Sequence, residues 1–469
     1  MAMPIASKGA AGAVRRGGRA PQIRRRPRAA TRQLSSVIEA SSRGDGKDAS
    51  GANSAPSQSI AGPPAAAVSR RSCLLTAGAA CSIACLVPRV NGAAEPAAVG
   101  AVSPASEVMG AAYVSAFGPA DAVVNFGLRP RPKLSPGSGQ LLVRVLACST
   151  SPGDWRTYQG DVDMFRSPAD LGGFPYVPSG DVCGIVEAVD PASDGAGARF
   201  AVGDCIVGTW AGTPLGGMAE YALLDVELTA PKPAGLSPAE AAALPNSSLH
   251  ALDALREAEV RPGERVLVLG GGGGVGTALL QLLKNEANAG FVATTASAPQ
   301  AELLASLGAD RVIDYTKEAW SESPEFVSNP FDVVIDCAEG LSGWEAAKRS
   351  RGVKRGGEGG RFIAVSSDDP HMQIHNAAQL AAFSATTLLR EPASRVRAAD
   401  WPRYHMYLGG ATPASLAEVC ALAEAGRLRV VLDPAGPFPF TTEGLRAAYN
   451  LQASFHAHGK VVVEIEPQA

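Results

Sequence analysis

The sequence of 469 residues has only eight cysteines. Three of the eight cysteines lie before residue 94, and the other five are scattered without a CxxC motif. Such a distribution is poor material for a disulfide framework or a structural zinc site. We therefore interpret the scattered thiols as small buried apolar side chains: Cys148, Cys183, Cys205, Cys337 and Cys420.

Positive charge is scarce in the body of the chain. Residues 1–94 hold 14 of the 42 Lys and Arg but only 3 of the 45 Asp and Glu, so the remainder is acidic although the net charge is −3. An acidic body argues against a nucleic-acid partner. The uncharged run Ser72–Val87 spans only 16 residues, many of them Ala, Cys, Ser or Gly, so no stable membrane span is expected.

Acidic residues are absent from Met1–Ile38, which contains nine basic residues and many small ones. This composition is typical of an organelle transit peptide. A second signal follows, because Arg70 and Arg71 stand directly before the uncharged run. We predict that residues 1–94 are a targeting presequence and linker for a plastid, either for the stroma or, if the twin-arginine segment is used, for the thylakoid lumen. A mitochondrial transit peptide is the alternative.

The rest of the chain changes texture near Leu236. Before it, short apolar runs separated by Gly and Pro predict a compact antiparallel β domain. After it, fully apolar short strands alternate with helical patterns, which predicts an α/β domain with a parallel sheet covered on both faces. Ser237, Pro238 and Glu240 form the pattern of a capped helix start at this change.

Five consecutive glycines stand between an apolar strand pattern and an apolar helix pattern in Val266–Lys284. Within them, Gly271, Gly273 and Gly276 have the GxGxxG spacing of a dinucleotide-binding turn. A diphosphate needs bare main-chain N–H groups and the positive end of a helix dipole, and a Cβ at the turn would hold it away. We predict that the cofactor diphosphate binds at Gly271, Gly273, Gly274, Val275 and Gly276.

The end of the second predicted strand bears on the choice between NAD and NADP. An acidic residue about 20 positions after the turn would bind the ribose 2′-hydroxyl. Here Ser297 occupies that position, and no acidic residue lies between Phe291 and Ala301. We therefore predict that NADPH is the cofactor and that NADH is less favoured, with Ser297 among the cofactor-binding residues.

The segments around these features resemble the medium-chain dehydrogenase/reductase superfamily, and within it the zinc-independent quinone oxidoreductase-like branch. The C-terminal part is similar to the reticulon-interacting mitochondrial oxidoreductase and to plastid quinone oxidoreductase homologues. The resemblance runs from about Val108 to Glu466 and rests on these segments among others: "GGGGGVGTALLQLLK", "FDVVIDCAEG", "GGRFIAVSS", "FAVGDCIVG", "LSPAEAAALPNSSLHALDAL" and "GKVVV".

This resemblance implies a GroES-like β domain split in sequence around a Rossmann doubly wound parallel-sheet domain. The expected boundaries are 107–235 for the first part of the GroES-like catalytic domain, 236–400 for the NADP-binding Rossmann domain and 401–469 for the return to the catalytic domain. Relatives often form dimers, so the resemblance also implies a homodimer.

The resemblance further locates the positions of the catalytic zinc ligands. Ser151, Gly180-Asp181 and Asn246 stand there, and none supplies a soft N or S ligand, so no zinc is expected. Other site residues are implied by position. Tyr158 lies in a region that faces the nicotinamide in relatives, and Asn246 and His250 lie in a segment that lines the cofactor cleft. They are the candidate catalytic residues, with packing roles as the alternatives for Tyr158 and His250.

Two further residues are implied near the cofactor. Tyr315 matches a position that touches the 2′-phosphate in several relatives, although it also simply follows the third Rossmann strand. Lys460 matches a family position near the cofactor cleft, and lysine entering an edge strand is common in any case.

The leading hypothesis is an NADPH-dependent oxidoreductase that transfers hydride directly to a small-molecule quinone or to an enone or enal. A 2-enoyl thioester reductase is one alternative and would need a long apolar tunnel, for which Phe174, Tyr176, Trp210 and Met218 are candidate lining residues. An NADPH-binding scaffold or sensor with little turnover is the other, because the resemblance implies no obligatory catalytic group.

Overall fold

In the computed structural model the chain forms two larger β-sheets that share one hydrophobic core cluster. The structure describes residues 107–164, 166–190, 199–210, 215–369, 371–407 and 409–465. The predicted presequence, residues 1–94, lies outside the described residues. Within the described residues, no helix combines the length and the apolar character that crossing a bilayer requires.

Numbered along the described residues, the strands are β1 (Val108–Val114), β2 (Val124–Pro130), β3 (Gln140–Ser149), β4 (Val182–Val189), β5 (Cys205–Gly208), β6 (Tyr221–Asp225), β7 (Thr229–Pro231), β8 (Arg265–Leu269), β9 (Phe291–Ala296), β10 (Arg311–Asp314), β11 (Val333–Asp336), β12 (Arg361–Ala364), β13 (Arg403–Met406), β14 (Phe438–Pro439) and β15 (Val462–Glu464). The α-helices are α1 (Ala120–Val123), α2 (Pro152–Gln159), α3 (Pro238–Ala243), α4 (Pro245–Ala258), α5 (Gly274–Asn285), α6 (Ala301–Ser306), α7 (Pro324–Ser328), α8 (Leu341–Arg349), α9 (Ala377–Val396), α10 (Pro413–Glu424) and α11 (Thr442–Ala453).

The first sheet has the order β14-β15-β3-β4-β5-β7, with β6 also paired to β3. Strand β15 runs antiparallel to β3, with Val463 opposite Cys148, so the C-terminal end of the chain completes the domain that the N-terminal part begins. The domain is therefore split in sequence, as expected. Its core contains aromatic side chains from distant segments, including Trp155, Tyr158 and Tyr449.

The second sheet is parallel and has the order β10-β9-β8-β11-β12-β13. This is the doubly wound order, in which successive strands are added first on one side of β8 and then on the other. The strand order therefore reverses between β8 and β11. The side chains of Val266–Leu269 are completely buried, because helices cover both faces of such a sheet. The predicted helix start is confirmed, since the Ser237 side chain caps α3 in a capping box with Glu240.

The parallel sheet extends beyond residue 400, where the sequence boundary was placed. Strand β13 pairs with β12 and follows the 20-residue helix α9 as its crossover. Its sequence, Arg403–Met406, lacks the continuous apolar run of the central strands because it forms the edge of the sheet. An edge strand gives a weaker hydrophobic pattern, which explains why the domain boundary was placed at residue 400, before β13.

The ends of the central strands fix where a site can form. Leu269, Asp336 and Ala364 lie side by side in the register of β8, β11 and β12. The loops that follow these strands therefore leave the sheet at the same carboxyl edge. In doubly wound sheets this edge, at the reversal point, is where ligands bind.

Candidate active site

The glycine-rich segment forms the predicted strand, turn and helix. Gly270 leaves β8 with φ +81°, a conformation that glycine adopts without strain. The N–H of Gly271 donates to the Thr295 carbonyl (3.0 Å), which ties the turn to β9. Gly273 is the N-cap of α5, and the N–H of Thr277 donates to the Gly273 carbonyl (2.9 Å). The N–H groups before Thr277 stand at the start of this helix, where the first turn lacks intrahelical acceptors.

The glycines of the turn serve different purposes. A Cβ on Gly271 would lie 2.0 Å from the Thr294 hydroxyl oxygen, and a Cβ on Gly276 would lie 2.3 Å from the Gly270 carbonyl oxygen. Packing of the protein itself therefore excludes side chains at these positions. Apart from its chain neighbours, a Cβ on Gly273 would meet only the Gly270 carbonyl oxygen within 4 Å, at 3.9 Å. The protein leaves room at the helix N-terminus, which fits a diphosphate bound there.

Ser297 and Tyr315 lie next to each other at the ends of neighbouring strands. The register pairs Asp314 with Ala296, so the residues that follow β9 and β10 share one edge of the sheet. The Ser297 hydroxyl faces the Gln300 side chain at 3.4 Å, and Gln300 in turn donates to the Gly272 carbonyl (3.2 Å). The Tyr315 side chain is 54% exposed. Ser297 is thus linked to the glycine-rich turn through Gln300, whereas the N–H of Tyr315 donates to the Ala296 carbonyl (3.4 Å) at the end of β9.

A cation that sequence reasoning overlooked lies at the same edge. Lys317 follows Tyr315 by two positions, and its ammonium pairs with the Asp314 carboxylate at 2.7 Å. The choice of cofactor was predicted from the end of β9 alone, whereas this cation comes from the end of the neighbouring strand β10. The available signal was the register of parallel strands, which brings successive strand ends together.

Lys460 lies beside the turn, in the segment that leads into β15. The N–H of Gly459 donates to the Gly272 carbonyl (2.9 Å), so the two segments are joined directly. The Lys460 stem lies against the helix start, since a Cβ on Gly274 would be 3.0 Å from its Cδ. Its ammonium is buried and donates to the Thr150 carbonyl (2.8 Å).

Two buried carboxylates, Asp154 and Asp181, interact with this ammonium. Burial lowers the pKa of Lys460, and the charges of Asp181 and Asp154 oppose that shift. Burial raises the pKa of Asp154 to about 6, although hydrogen bonds from Ser151 lower it. Burial also raises the pKa of Asp181, against the Lys460 charge. Sequence reasoning did not foresee this cluster.

The positions expected for zinc ligands are occupied by a hydrogen-bond network. The Asp181 carboxylate accepts from the Thr209 hydroxyl (2.6 Å) and from the Asn246 backbone N–H (2.8 Å). Ser151 donates to Asp154 through its N–H (2.7 Å) and its hydroxyl (3.1 Å). These donor atoms serve protein partners, and the described residues contain no group of three or more His, Cys, Asp or Glu arranged for a metal ion. The residues present do not fit a tetrahedral zinc site.

The candidate catalytic side chains differ in their surroundings. Tyr158 is 1% exposed and packs edge-to-face against Tyr449 with ring centroids 5.5 Å apart, and burial raises its pKa. His250 Nδ1 lies 2.9 Å from the Tyr407 hydroxyl. Burial and the Lys460 charge lower the pKa of His250 to about 4, so its imidazole is neutral near pH 7. This geometry favours the packing alternatives for both residues.

Arg156, which was not among the predicted site residues, bridges the two domains. Its guanidinium Nη2 donates to the Ser367 hydroxyl (3.3 Å) in the loop after β12. Tyr158 lies two positions further along α2, about 200° around the helix, and therefore enters the core of the β domain. The face of α2 that packs against the core therefore decides that Arg156, and not Tyr158, reaches the Rossmann loop.

Two separate parts of the chain match family descriptions. Residues 137–234 match the alcohol dehydrogenase GroES-like domain, and residues 307–463 match the zinc-binding dehydrogenase domain. A 2-methylene-furan-3-one reductase of Solanum lycopersicum is 31% identical over 334 residues, which cover 70% of this chain and 72% of that protein. The chain belongs to the medium-chain dehydrogenase/reductase superfamily.

Other members of this superfamily agree with the described fold. The "NADPH-dependent alkenal/one oxidoreductase, chloroplastic" of Arabidopsis thaliana is 31% identical over 330 residues, covering 69% of this chain and 72% of that protein. The quinone oxidoreductase from Coxiella burnetii superposes with a TM-score of 0.60 and 25% identity, covering 77% of this chain and 100% of that chain. The predicted fold, a GroES-like domain with a Rossmann domain, is confirmed. The donor set at Ser151, Asp181 and Asn246 is consistent with the zinc-independent branch.

Proposed function

We propose that this protein is an NADPH-dependent oxidoreductase that reduces quinones or α,β-unsaturated carbonyl compounds without a zinc ion. The observation that carries the proposal is the glycine-rich turn, where Gly273 leaves room at the N-terminus of α5. The names of two relatives support the substrate class, since one is a 2-methylene-furan-3-one reductase and the other an NADPH-dependent alkenal/one oxidoreductase.

The proposed cofactor site extends from the turn to the ends of β9 and β10. Main-chain N–H groups of Gly274, Val275 and Gly276 would hold the diphosphate. Ser297, Tyr315 and Lys317 would face the 2′-phosphate, and no acidic residue at the end of β9 repels it. When bound, NADPH supplies the hydride for the reaction.

The protein's own contribution in this proposal is binding, orientation and exclusion of water. Quinones and enones are already electron-poor, so holding them beside the hydride donor supplies much of the acceleration. His250 is neutral near pH 7 and bonded to Tyr407, and Tyr158 is buried in the core. We therefore propose that water, and neither of these side chains, provides the proton.

The residues predicted to line an apolar tunnel do not support the alternative of a 2-enoyl thioester reductase. Met218 and Tyr176 belong to the packed core of the GroES-like domain, and Phe174 and Trp210 pack against it. These four side chains are therefore engaged in packing within the GroES-like domain.

The test uses the full chain, titrated with NADPH and with NADH while the fluorescence of the bound nucleotide is followed. Oxidation of NADPH is then measured with 9,10-phenanthrenequinone, acrolein and crotonyl-CoA, and metal content is determined by elemental analysis. The proposal expects tighter binding of NADPH and turnover with the quinone or the enal. Exclusive turnover of crotonyl-CoA would favour the thioester reductase, and tight binding without any turnover would favour a scaffold or sensor. Stoichiometric zinc would contradict the proposed mechanism.

We further propose a plastid location and a homodimer. The Arg-rich composition of residues 1–38 and the chloroplastic name of the Arabidopsis relative support the first proposal. Import of the labelled full chain into isolated chloroplasts tests it, with isolated mitochondria as the alternative destination and fractionation of stroma and lumen as the finer readout. Light scattering during gel filtration tests the homodimer.

A further inference from the structure

The position of the bound cofactor follows from the order of the strands. A dinucleotide gripped at the end of β8 extends across the carboxyl edge of a doubly wound sheet in both directions from the reversal point. Ser297 and Tyr315 lie on one side of β8, at the ends of β9 and β10. If these two residues receive the 2′-phosphate end of NADPH, the hydride-donating end of the cofactor lies on the other side of β8, beyond β11 and at the end of β12. Ser367, three residues after β12, marks that place.

Arg156 reaches the same place from the other domain. It extends from α2, which begins directly after Ser151, and its Nη2 lies 3.3 Å from the Ser367 hydroxyl. The guanidinium also stands over the Trp155 ring, 5.1 Å from the ring centroid. The cation is thus held between the GroES-like domain and the Rossmann loop.

The charges around Arg156 leave it a cation despite its burial. Burial lowers its pKa, with Arg166 acting in the same direction, whereas Asp161 and Asp369 raise it. An arginine side chain stays protonated in proteins, so the cleft contains a permanent positive charge. A partly desolvated charge of this kind interacts strongly with a negative charge that develops beside it.

We propose that Arg156 is a catalytic residue that donates an N–H to the carbonyl oxygen of the acceptor. The proposal rests on the proposed reductase function and adds the group that binds the developing oxyanion. In an enone, a C–H bond forms at the β-carbon with the hydride of NADPH, which is oxidised to NADP+. The C=C π bond breaks, and its electron pair delocalises onto the oxygen as an enolate beside the Arg156 guanidinium. A proton from water then adds to the α-carbon, which gives the saturated carbonyl compound.

The test compares Arg156→Gln, Arg156→Ala and Ser367→Ala in the full chain. Removing a donor to an oxyanion typically lowers kcat by about 10²–10³-fold, so we expect a loss of that order for Arg156→Gln with phenanthrenequinone or acrolein. The dissociation constant for NADPH should stay within about threefold, because the residue does not hold the cofactor. Millimolar guanidinium ion should restore part of the activity of Arg156→Ala. Ser367→Ala, which removes the acceptor of the Arg156 hydrogen bond in the Rossmann loop, should lose less kcat than Arg156→Gln.

A second readout does not depend on turnover. 4-Nitrophenol serves as a stable analogue of the enolate oxygen, and its absorbance distinguishes phenol from phenolate. We expect the wild-type protein, with NADP+ present, to bind the phenolate and lower the pKa of the bound phenol, and Arg156→Gln to lose this shift. The inference is overturned if Arg156→Gln keeps its kcat, if Ser367→Ala loses as much as Arg156→Gln, or if both proteins bind nitrophenolate equally. A wild-type protein that turns over no acceptor refutes the proposed function instead, and the nitrophenol titration then still decides the role of Arg156.

Discussion

Replacing Gly273 by alanine tests the effect of this position on cofactor affinity separately from its effect on the stability of the fold. Gly273 has φ −81° and ψ 174°, a conformation open to any residue, and its added Cβ would lie 3.9 Å from the nearest atom, the Gly270 carbonyl oxygen. At such a position, a change from glycine to alanine stabilises a protein by about 0.4–1 kcal/mol, because it restricts the unfolded chain. Alanine is less favourable than glycine at an N-cap, which offsets this gain, so we expect Gly273→Ala to fold with a nearly unchanged melting temperature.

The same methyl group should weaken cofactor binding. It stands at the N-cap of α5, where the diphosphate is proposed to accept main-chain hydrogen bonds. A hydrogen bond to a charged group contributes about 1.5–3 kcal/mol. Losing one of them should raise the dissociation constant for NADPH roughly 10- to 150-fold, since 1.4 kcal/mol corresponds to a factor of ten.

Two matched glycine variants complete the assay. In Gly276→Ala the new Cβ would lie 2.3 Å from the Gly270 carbonyl oxygen and 2.6 Å from the Gly271 Cα, and backbone atoms cannot move aside cheaply. This variant should lose about 1–3 kcal/mol of stability, as overpacked sites do. Gly235→Ala, where a Cβ would meet no atom beyond its chain neighbours within 4 Å, should leave the affinity for NADPH unchanged and shift the stability by no more than the gain of about 0.4–1 kcal/mol expected at an open position. Thermal denaturation and nucleotide fluorescence are measured on all three.

The reasoning is refuted if Gly273→Ala binds NADPH as tightly as the wild type. It is equally refuted if Gly273→Ala is destabilised as much as Gly276→Ala, because the loss of affinity would then come from the fold. A wild-type protein without saturable NADPH binding would contradict the cofactor proposal itself.

Three more predictions concern the charges of the site. Ser297→Asp should shift the preference from NADPH towards NADH by about tenfold or more in the ratio of dissociation constants, because its carboxylate repels a 2′-phosphate and can accept from a 2′-hydroxyl. Lys460→Met should lower the free energy of unfolding by about 3–5 kcal/mol, because it leaves Asp181 and Asp154 buried without their cation. Denaturant titration measures this loss. Adding Asp181→Asn should recover part of it, and no recovery would argue against the electrostatic explanation. The folded state holds the proton of Asp154 to a pKa of about 6 against an ordinary value of 3.8, so the free energy of unfolding should fall by up to about 3 kcal/mol as the pH rises through this interval. Asp154→Asn should flatten that part of the stability profile, and an identical profile in the variant would show that other groups cause the decline.

The glycine-rich turn could be predicted from sequence because all its determinants are local. An apolar strand, glycines at fixed spacing and an apolar helix follow one another within Val266–Lys284. The capped start of α3 at Ser237 was readable for the same reason. Strand β13 was missed as part of the parallel sheet because an edge strand with the sequence Arg403–Met406 carries a weak hydrophobic signal.

The cluster around Lys460 could not be predicted in this way. Its ammonium bonds to the Thr150 carbonyl across a separation of 310 positions in the chain, and Asp181 comes from a third segment. Lys317 was overlooked because its relevance depends on the register between β9 and β10. The difference between Tyr158 and Arg156 depends on which face of α2 packs against Tyr449.

The sequence by itself determined the order of the elements and the glycine-rich turn, because hydrophobic periodicity and the steric demands of glycine act over short distances; the split of the β domain was implied by the family resemblance. Only the tertiary structure decided which titratable side chains are buried together and which of two neighbouring residues in α2 enters the cleft. Burial and charge interaction depend on distances in space, and segments that are remote in sequence set those distances when the two domains pack together.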